Sequence, residues 1–277
     1  MTQAIPPIDT VHLLPVLDDM LLSLLRSLKK EEWELPTVAR QWRVKEVATH
    51  LLDGNIRILS MLRDGYAGEK ADIQSYGQLV EYLNGLNADW VKAMKRVSPE
   101  MLILLHEITG PLFCRYYASL DPFEKAVFPV AWAGEAESRN WMHIGREYTE
   151  KFLHQQQIRD AVGKPGLLVS RFHHPFMHVF MQALPYIYRA VDAPAGSCLE
   201  INITGNAGGK WWLVRENEKW VPGNNATAVT TRVSIPQEEA WKLFSKSIRA
   251  DAIAGKIRIQ GDKQLAEPAL NMVSVMA

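Results

Sequence analysis

A polar stretch, GREYTEKFLHQQQIRDAVG (145–163), carries residue types that can bind a metal ion. Glu150 and His154 are four residues apart, so a helix would present both side chains to the same point. A carboxylate and an imidazole at this spacing can form a two-ligand metal clip. The same spacing also arises by chance on the water-facing side of any polar helix, so spacing alone leaves both interpretations open.

The phase of this predicted helix favours the water-facing interpretation. Trp141, Ile144, Tyr148 and Phe152 mark its apolar side. Met142 and Leu153 lie on the far side, which leaves open that neighbours contact the helix on more than one face. A simple amphipathic helix would turn the polar stripe towards solvent. That stripe contains His143, Glu147, Glu150, His154 and Gln157.

A second candidate ligand, His50, lies in an earlier predicted helix, at the edge of an apolar stripe that includes Val47 and Leu51. Gly54, one turn later, leaves room beside the imidazole. A histidine in this position is more often a hydrogen-bonded core residue than a metal ligand. By itself, His50 therefore predicts packing rather than chemistry.

The segment RFHHPFMHVF (171–180) places His174 and His178 four residues apart, and Pro175 is predicted to be the first residue of a helix. The simpler interpretation is a polar helix start with aromatic core residues. The alternative is a cleft wall that supplies a substrate contact or a further metal ligand. The roles of these two histidines, and of His143 and Glu147, stay open at this point.

Several classes of function find no support in the sequence. No GxGxxG follows a strand, no Walker loop, HExxH or GxSxG occurs, and the GNAGG turn is predicted to connect a hairpin. Lys+Arg and Asp+Glu balance at 31 each, which predicts neither nucleic-acid nor membrane binding. The separated Cys114 and Cys198 predict no disulfide or cysteine-rich zinc site. With no signal-peptide or membrane-span pattern, we expect a cytoplasmic protein.

The predicted secondary structure that must position these residues changes from helices to mainly strands near residues 192–196. Before this point, apolar residues recur at helical spacing and predict helices in 9–28, 43–65 and 75–97, then over about 137–162 and 175–191. After it, CLEINIT, KWWLVRE, ENEKWV, ATAVTTRVSI and KIRIQGD read as strands, with helices over PQEEAWKLFSKS and LAEPALNMVSVM. We predict a helix bundle over 1–192 and a small α+β domain over 196–277.

The stretch LPTVARQWRVKEVATHLLDGNIRILSMLRDG (35–65) resembles the opening of the mycothiol-dependent maleylpyruvate isomerase family, within the DinB-like superfamily. The family's later Glu-x-x-x-His helix is matched by Glu150 and His154, and 157–160 resembles its polar continuation. The segment AWKLFSKSIRADAIAGKIRIQGDKQLAEPALNMV (240–273) resembles a sterol-carrier-type domain, which family members carry after a DinB-like four-helix bundle. The matching residues of the opening are Trp42, Val44, Val47, Ala48 and His50.

The resemblance implies a divalent metal, most often zinc, held by His50, Glu150 and His154. Superfamily members with three histidines differ at position 150, but the isomerase branch agrees. Two neutral imidazoles and one carboxylate leave Zn²⁺ positive with an open position, where a water or thiol would have a lowered pKa. Glu147, His143 and Asp53 are candidates for orienting the imidazoles.

The implied function is metal-assisted thiol chemistry. A low-molecular-weight thiol would attack a small electrophilic substrate, as in an isomerase or an S-transferase. One alternative is a non-catalytic binding module for an apolar ligand or a protein partner. A metal hydrolase with Glu147 as general base is a further alternative. The sequence leaves the thiol, the substrate and the oligomeric state open.

Overall fold

The computed structural model describes residues 6–66, 68, 71–225 and 228–272. By their internal contacts these residues form two compact units. The first comprises the chain up to Phe128 together with Arg139–Pro165, and the second comprises Pro129–Ser138 together with the chain from Gly166 onwards. The predicted domain boundaries, 1–192 and 196–277, stay a prediction.

The first unit is built from helices. Helices α1, α2, α4 and α5 pack on one another as a bundle, and α3 packs against α2. This arrangement confirms the predicted helix bundle. The helices are α1 (Leu14–Arg26), α2 (Val44–Ile58), α3 (Tyr76–Ala93), α4 (Pro99–Ala118) and α5 (Asn140–Val162).

Local sequence explains how α1 and α2 begin. Pro15 lies in the first turn of α1, where its missing N–H would have no intrahelical partner. At the start of α2, the Glu46 carboxylate accepts a hydrogen bond from the backbone N–H of Arg43 at 2.8 Å, which caps the first turn. Beyond its last α-helical turn, α2 continues as one π-helical turn over Leu59–Arg63. Helix α2, which carries His50, packs directly against α5.

Two features of the bundle differ from the sequence prediction. Helix α4 was not predicted, because its apolar residues lie on all sides and Pro111 interrupts the pattern: Leu102 and Phe113 are buried, whereas Ile108 is 55% exposed. The apolar stripe predicted for α3 is only partly covered, since Trp90 and Met94 pack against the core as partly buried residues whereas Leu86 is 38% exposed. Helical period shows an apolar side but not whether a neighbour covers it.

The second unit combines a mixed sheet with short helices. Within the described residues, the strands are ordered β3-β2-β1-β4-β5, with β1 and β4 parallel and the other pairs antiparallel. The strands are β1 (Cys198–Thr204), β2 (Gly209–Glu216), β3 (Lys219–Pro222), β4 (Thr231–Pro236) and β5 (Arg258–Gln260). The helices are α6 (Ser170–Met181), α7 (Leu184–Ile187), α8 (Gln237–Phe244) and α9 (Lys263–Leu270).

The predicted α+β class is confirmed, but some boundaries were wrong. The helix predicted over 175–191 is two helices, and Pro175 lies inside α6 rather than at its start. The strand predicted from 226 begins at Thr231, and residues 226–227 lie outside the described residues. The closing helix ends at Leu270, and 273–277 are likewise not described. In the described ranges, the helices lack the length and apolar character needed to cross a bilayer.

Candidate metal centre

His50, Glu150 and His154 come together inside the first unit. Helix α2 carries His50, helix α5 carries the other two, and these helices pack directly on each other. One ligand atom from each residue lies within 4.8 Å of the others. Ligand atoms bound at about 2.0–2.2 Å to one tetrahedral Zn²⁺ lie roughly 3.4 Å apart, so the three atoms would have to move closer together to bind the same ion.

The two imidazoles meet edge to face, beneath an aromatic ring. The ring centroids of His50 and His154 are 4.6 Å apart, with an interplanar angle of 77°. The Trp42 ring lies 4.7 Å from His50 and 6.3 Å from His154. Trp42 therefore covers one side of the imidazole pair, which limits the rotations open to both histidines.

His50 has the chemistry of a metal ligand. Burial, followed by the positive charges that His154, Arg57 and Lys151 can carry, lowers its pKa well below the usual value. Its Nδ1 atom is buried and has no hydrogen-bond partner among the described residues. A neutral imidazole with an unpaired buried nitrogen is the form that coordinates metal ions. The site therefore fits a divalent cation at this atom.

His154 lies between two side chains of its own helix. Its Nε2 is 3.2 Å from Glu150 Oε2, and its Nδ1 is 2.8 Å from Gln157 Oε1. The side chain of His154 is 12% exposed and that of Glu150 is 34% exposed, so an ion at this point would be reachable from solvent. Sequence reasoning placed Gln157 on the polar stripe without assigning it a role, although the i, i+3 spacing to His154 was available.

The expectation that this stripe faces water is wrong. His143 is 1% exposed, Glu147 is 8% exposed and Gln157 is 4% exposed. Helix α5 packs against both α1 and α2, so its apolar side is not its only buried side. Because neighbouring helices surround it, α5 buries polar residues that must find partners within the protein.

Glu147 and His143 make contacts that do not involve the three candidate ligands. Arg146 donates a hydrogen bond to Glu147 Oε1 at 2.8 Å, and its NH2 lies 2.7 Å from His143 Nε2. Burial alone would raise the Glu147 pKa, but the charge of Arg146 and the nearby His143 ring, 3.6 Å from Glu147 Oε1, hold it at about 2. A carboxylate of this pKa is a weak general base, which removes the support for a hydrolase built on Glu147.

Asp53 also contacts a residue outside the candidate site. Its Oδ2 lies 3.3 Å from an Arg57 nitrogen, one turn along α2. Burial raises the Asp53 pKa, and Arg57 partly offsets that rise. None of the described hydrogen bonds of His143, Glu147 or Asp53 reaches a candidate ligand. The side chain of Gln157, by contrast, contacts the His154 ring at 2.8 Å.

The second histidine pair, His174 and His178, belongs to the second unit. Their rings are 6.1 Å apart, and His174 stacks on Trp211 with a centroid separation of 5.3 Å. Trp211 Nε1 donates a hydrogen bond to His178 Nδ1 at 3.0 Å. In the neutral ring this bond leaves the proton on Nε2, so neither nitrogen of His178 is free to bind a metal in this arrangement. The packing interpretation is therefore favoured for this pair.

Lys151 and Asp18 are buried ionisable residues of the bundle that are not candidate ligands. The ammonium of Lys151 contacts the side-chain oxygen of Asn55 and lies 4.4 Å from the centre of the Phe113 ring. Burial lowers the Lys151 pKa. Burial also raises the pKa of Asp18 to about 6, despite the opposing charge of Lys151. The bundle core therefore contains ionisable groups besides the candidate ligands.

Comparison with known proteins identifies relatives of this arrangement. The model of a family described as the mycothiol maleylpyruvate isomerase N-terminal domain matches residues 14–159, more than half of the chain. This range contains His50, Glu150 and His154. No curated protein matches the chain.

Solved structures resemble the fold. Crystal structures of the mycothiol-dependent maleylpyruvate isomerase and of a mutant of that enzyme each align with a TM-score of 0.53 at 10% identity, over 90% of this chain and 91% of theirs. At this identity the likeness concerns the fold alone. Sterol Carrier Protein 2 Like 2 from Aedes aegypti aligns over 35% of this chain and 95% of its own, at 19% identity and a TM-score of 0.27.

Proposed function

Because the chain belongs to the family of the mycothiol maleylpyruvate isomerase N-terminal domain, we propose that it is a zinc-dependent enzyme of thiol chemistry. His50, Glu150 and His154 are the proposed metal ligands. The proposed substrates are a low-molecular-weight thiol and a small electrophile. A cytoplasmic location, where such thiols are kept reduced, belongs to the same proposal.

The observation that carries the proposal is the convergence of three ligand atoms from two helices within 4.8 Å. The unpartnered, buried Nδ1 of His50 supports it, because a buried polar atom normally has a partner. Glu150 supplies the one negative charge of the set. A bound Zn²⁺ would supply the positive charge that lowers the pKa of a thiol at the open position.

The cysteines of the chain favour a thiol that comes from outside. Cys114 is buried in the bundle, and burial raises its pKa to about 12. Burial also raises the pKa of Cys198. A thiol with a raised pKa holds little of the nucleophilic thiolate at neutral pH. An external thiol is therefore the proposed nucleophile.

The proposed reaction is the addition of that thiol to an activated carbon–carbon double bond. The thiolate forms a C–S bond while the π electrons move to the neighbouring activating group, which leaves a single bond that can rotate. Elimination breaks the C–S bond, restores the double bond in the other geometry and releases the thiol. If a proton is taken up instead of elimination, the thioether is retained and the outcome is S-transfer.

Elemental analysis of the purified protein tests the metal part of the proposal. We expect about one zinc per chain, and loss of this zinc in His50→Ala and His154→Ala. The matched control is His12→Ala, since the His12 side chain is 60% exposed and belongs to no metal-ligand group among the described residues. A wild-type protein without stoichiometric metal, even after incubation with Zn²⁺ or Co²⁺, would contradict the proposal.

A thiol-dependent activity screen tests the catalytic part. The zinc-loaded protein is incubated with a low-molecular-weight thiol and a cis-configured, doubly activated alkene, and isomer and thioether formation are followed. Turnover that requires both thiol and metal is the expected result. Metal binding without turnover across a panel of thiols and electrophiles would instead favour the alternative of a binding module for an apolar ligand or a protein partner.

A further inference from the structure

The two ring nitrogens of His154 both face oxygen atoms, and a neutral ring has one proton too few to hydrogen bond to both. This is a shortage of protons at the ring. Its Nε2 faces the Glu150 carboxylate at 3.2 Å, and its Nδ1 faces Gln157 Oε1 at 2.8 Å. Both facing oxygens are acceptors, whereas a neutral imidazole carries only one N–H. If that proton is on Nδ1, the Nε2 lone pair points at a carboxylate. This pairing is unfavourable unless a metal ion lies between the two atoms or Nε2 also carries a proton.

The amide of Gln157 can resolve this shortage in two ways. With its oxygen towards His154, it accepts the Nδ1–H and leaves Nε2 free for a metal. With its NH₂ group towards His154, it donates to Nδ1, and the proton then lies on Nε2, where the Glu150 carboxylate accepts it. The two ends of an amide have nearly the same shape, so both arrangements fit the same space.

We propose that Gln157 is the positioning residue of the metal centre, with its oxygen towards His154 when metal is bound and its NH₂ group towards His154 when it is not. This inference rests on the proposed metal site. Gln157 is 4% exposed, which leaves little room for a water to take its place at Nδ1. A partner of this kind fixes the tautomer and the ring orientation of a ligating histidine.

Substitutions on α5 separate this role from simple packing. Gln157→Leu removes both the donor and the acceptor, and we expect it to weaken Zn²⁺ or Co²⁺ binding about 10- to 100-fold, as is typical for such partners. Gln157→Glu keeps an acceptor at the same place, and we expect affinity equal to or above that of wild type. The matched control is Gln156→Leu, because Gln156 is 5% exposed and its side-chain oxygen has no hydrogen-bond partner in the described part of the chain. Chelator competition measures the affinities.

The ¹⁵N spectrum of the histidine rings gives an independent readout on the wild-type protein. The His154 signals are those lost in His154→Ala. We expect the metal-loaded protein to show a protonated Nδ1 and the metal-free protein to show a protonated Nε2. The spectrum needs no substitution at position 157, so it decides the question even if Gln157→Leu does not fold.

Three results would overturn the inference. One is a folded Gln157→Leu with wild-type metal affinity, and another is a loaded wild type with its proton on Nε2. In both cases zinc still binds, so the proposed function stands and only the role of Gln157 falls. In the third, the wild type binds neither Zn²⁺ nor Co²⁺, and both proposals fail together.

Discussion

His50 and His154 lie on different helices, yet their imidazole rings approach to 4.6 Å between centroids at an angle of 77°. Two protonated imidazoles at this distance would repel each other. The pKa of His50 is lowered mainly by burial and next by this repulsion from His154. With Glu150 beside them, the pair forms a site suited to a cation.

Glu150→Gln keeps the size of the side chain and removes its charge. We expect the zinc affinity to fall by about two orders of magnitude, because an amide oxygen is a weaker ligand for Zn²⁺ than a carboxylate. Chelator competition provides the measurement. The matched control is Glu81→Gln on the exposed surface of α3. Equal affinities for Glu150→Gln and wild type would remove Glu150 from the ligand set.

Trp42 should report metal binding through its fluorescence. Its ring lies 4.7 Å from His50 and 6.3 Å from His154, so Co²⁺ held by these histidines would quench its emission. We expect titration with Co²⁺ to reduce the emission of the wild type and to have much less effect on Trp42→Phe. Trp141→Phe is the control, because Trp141 lies near the start of α5, about 20 Å along the helix from His154. A quenching change that is the same in both variants would place the cobalt elsewhere.

Glu147→Gln should destabilise the bundle without removing metal. Arg146 would keep a buried charge without its carboxylate partner, which costs about 3–5 kcal/mol. Urea unfolding measures this loss, and elemental analysis is expected to find the zinc retained. A loss below about 1 kcal/mol would show that Arg146 finds another partner.

The same carboxylate predicts how acid weakens the wild type. The folded pKa of Glu147 is about 2, below its ordinary value of 4.5. As the pH falls, the unfolded chain therefore binds the proton first. The free energy of unfolding decreases by about 3 kcal/mol between pH 4.5 and pH 2. Unfolding at a series of pH values measures this loss, and Glu147→Gln should show a shallower decline.

Asp18→Asn should stabilise the protein at neutral pH. Burial raises the Asp18 pKa to about 6, despite the opposing charge of Lys151, with a smaller upward effect of Asp19. The folded chain then binds the proton more tightly than the unfolded one. Ionised Asp18 thus costs free energy as the pH rises from 3.8 to about 6, up to about 3 kcal/mol.

Urea unfolding at two pH values tests this cost. We expect Asp18→Asn to exceed wild type in stability at pH 7.5 and to match it near pH 4. Asp19→Asn is the control, since Asp19 is the exposed neighbour of Asp18 on α1. A variant less stable than wild type at pH 7.5 would mean that the attraction between Asp18 and Lys151 outweighs the cost of burial.

The amino-acid sequence determined the local part of this structure. The spacing of Glu150 and His154 is a property of one helix, so four residues of separation suffice to bring their side chains to one point. The alternation in 198–204 likewise indicated strand β1, because side chains of a strand alternate between faces. Resemblance to a family joined His50 to this pair, which spacing could not do.

Only the tertiary structure decided which faces are buried and which distant residues meet. Helical phase placed the stripe of α5 towards water, whereas packing by α1 and α2 buries His143 and Glu147. The same packing brought His50 within reach of His154. Gln157 gained a role only because its neighbour His154 needs a partner inside that packing. The physical reason is that the spacing of apolar residues is a property of one helix, whereas burial depends on the number and position of the elements packed around it.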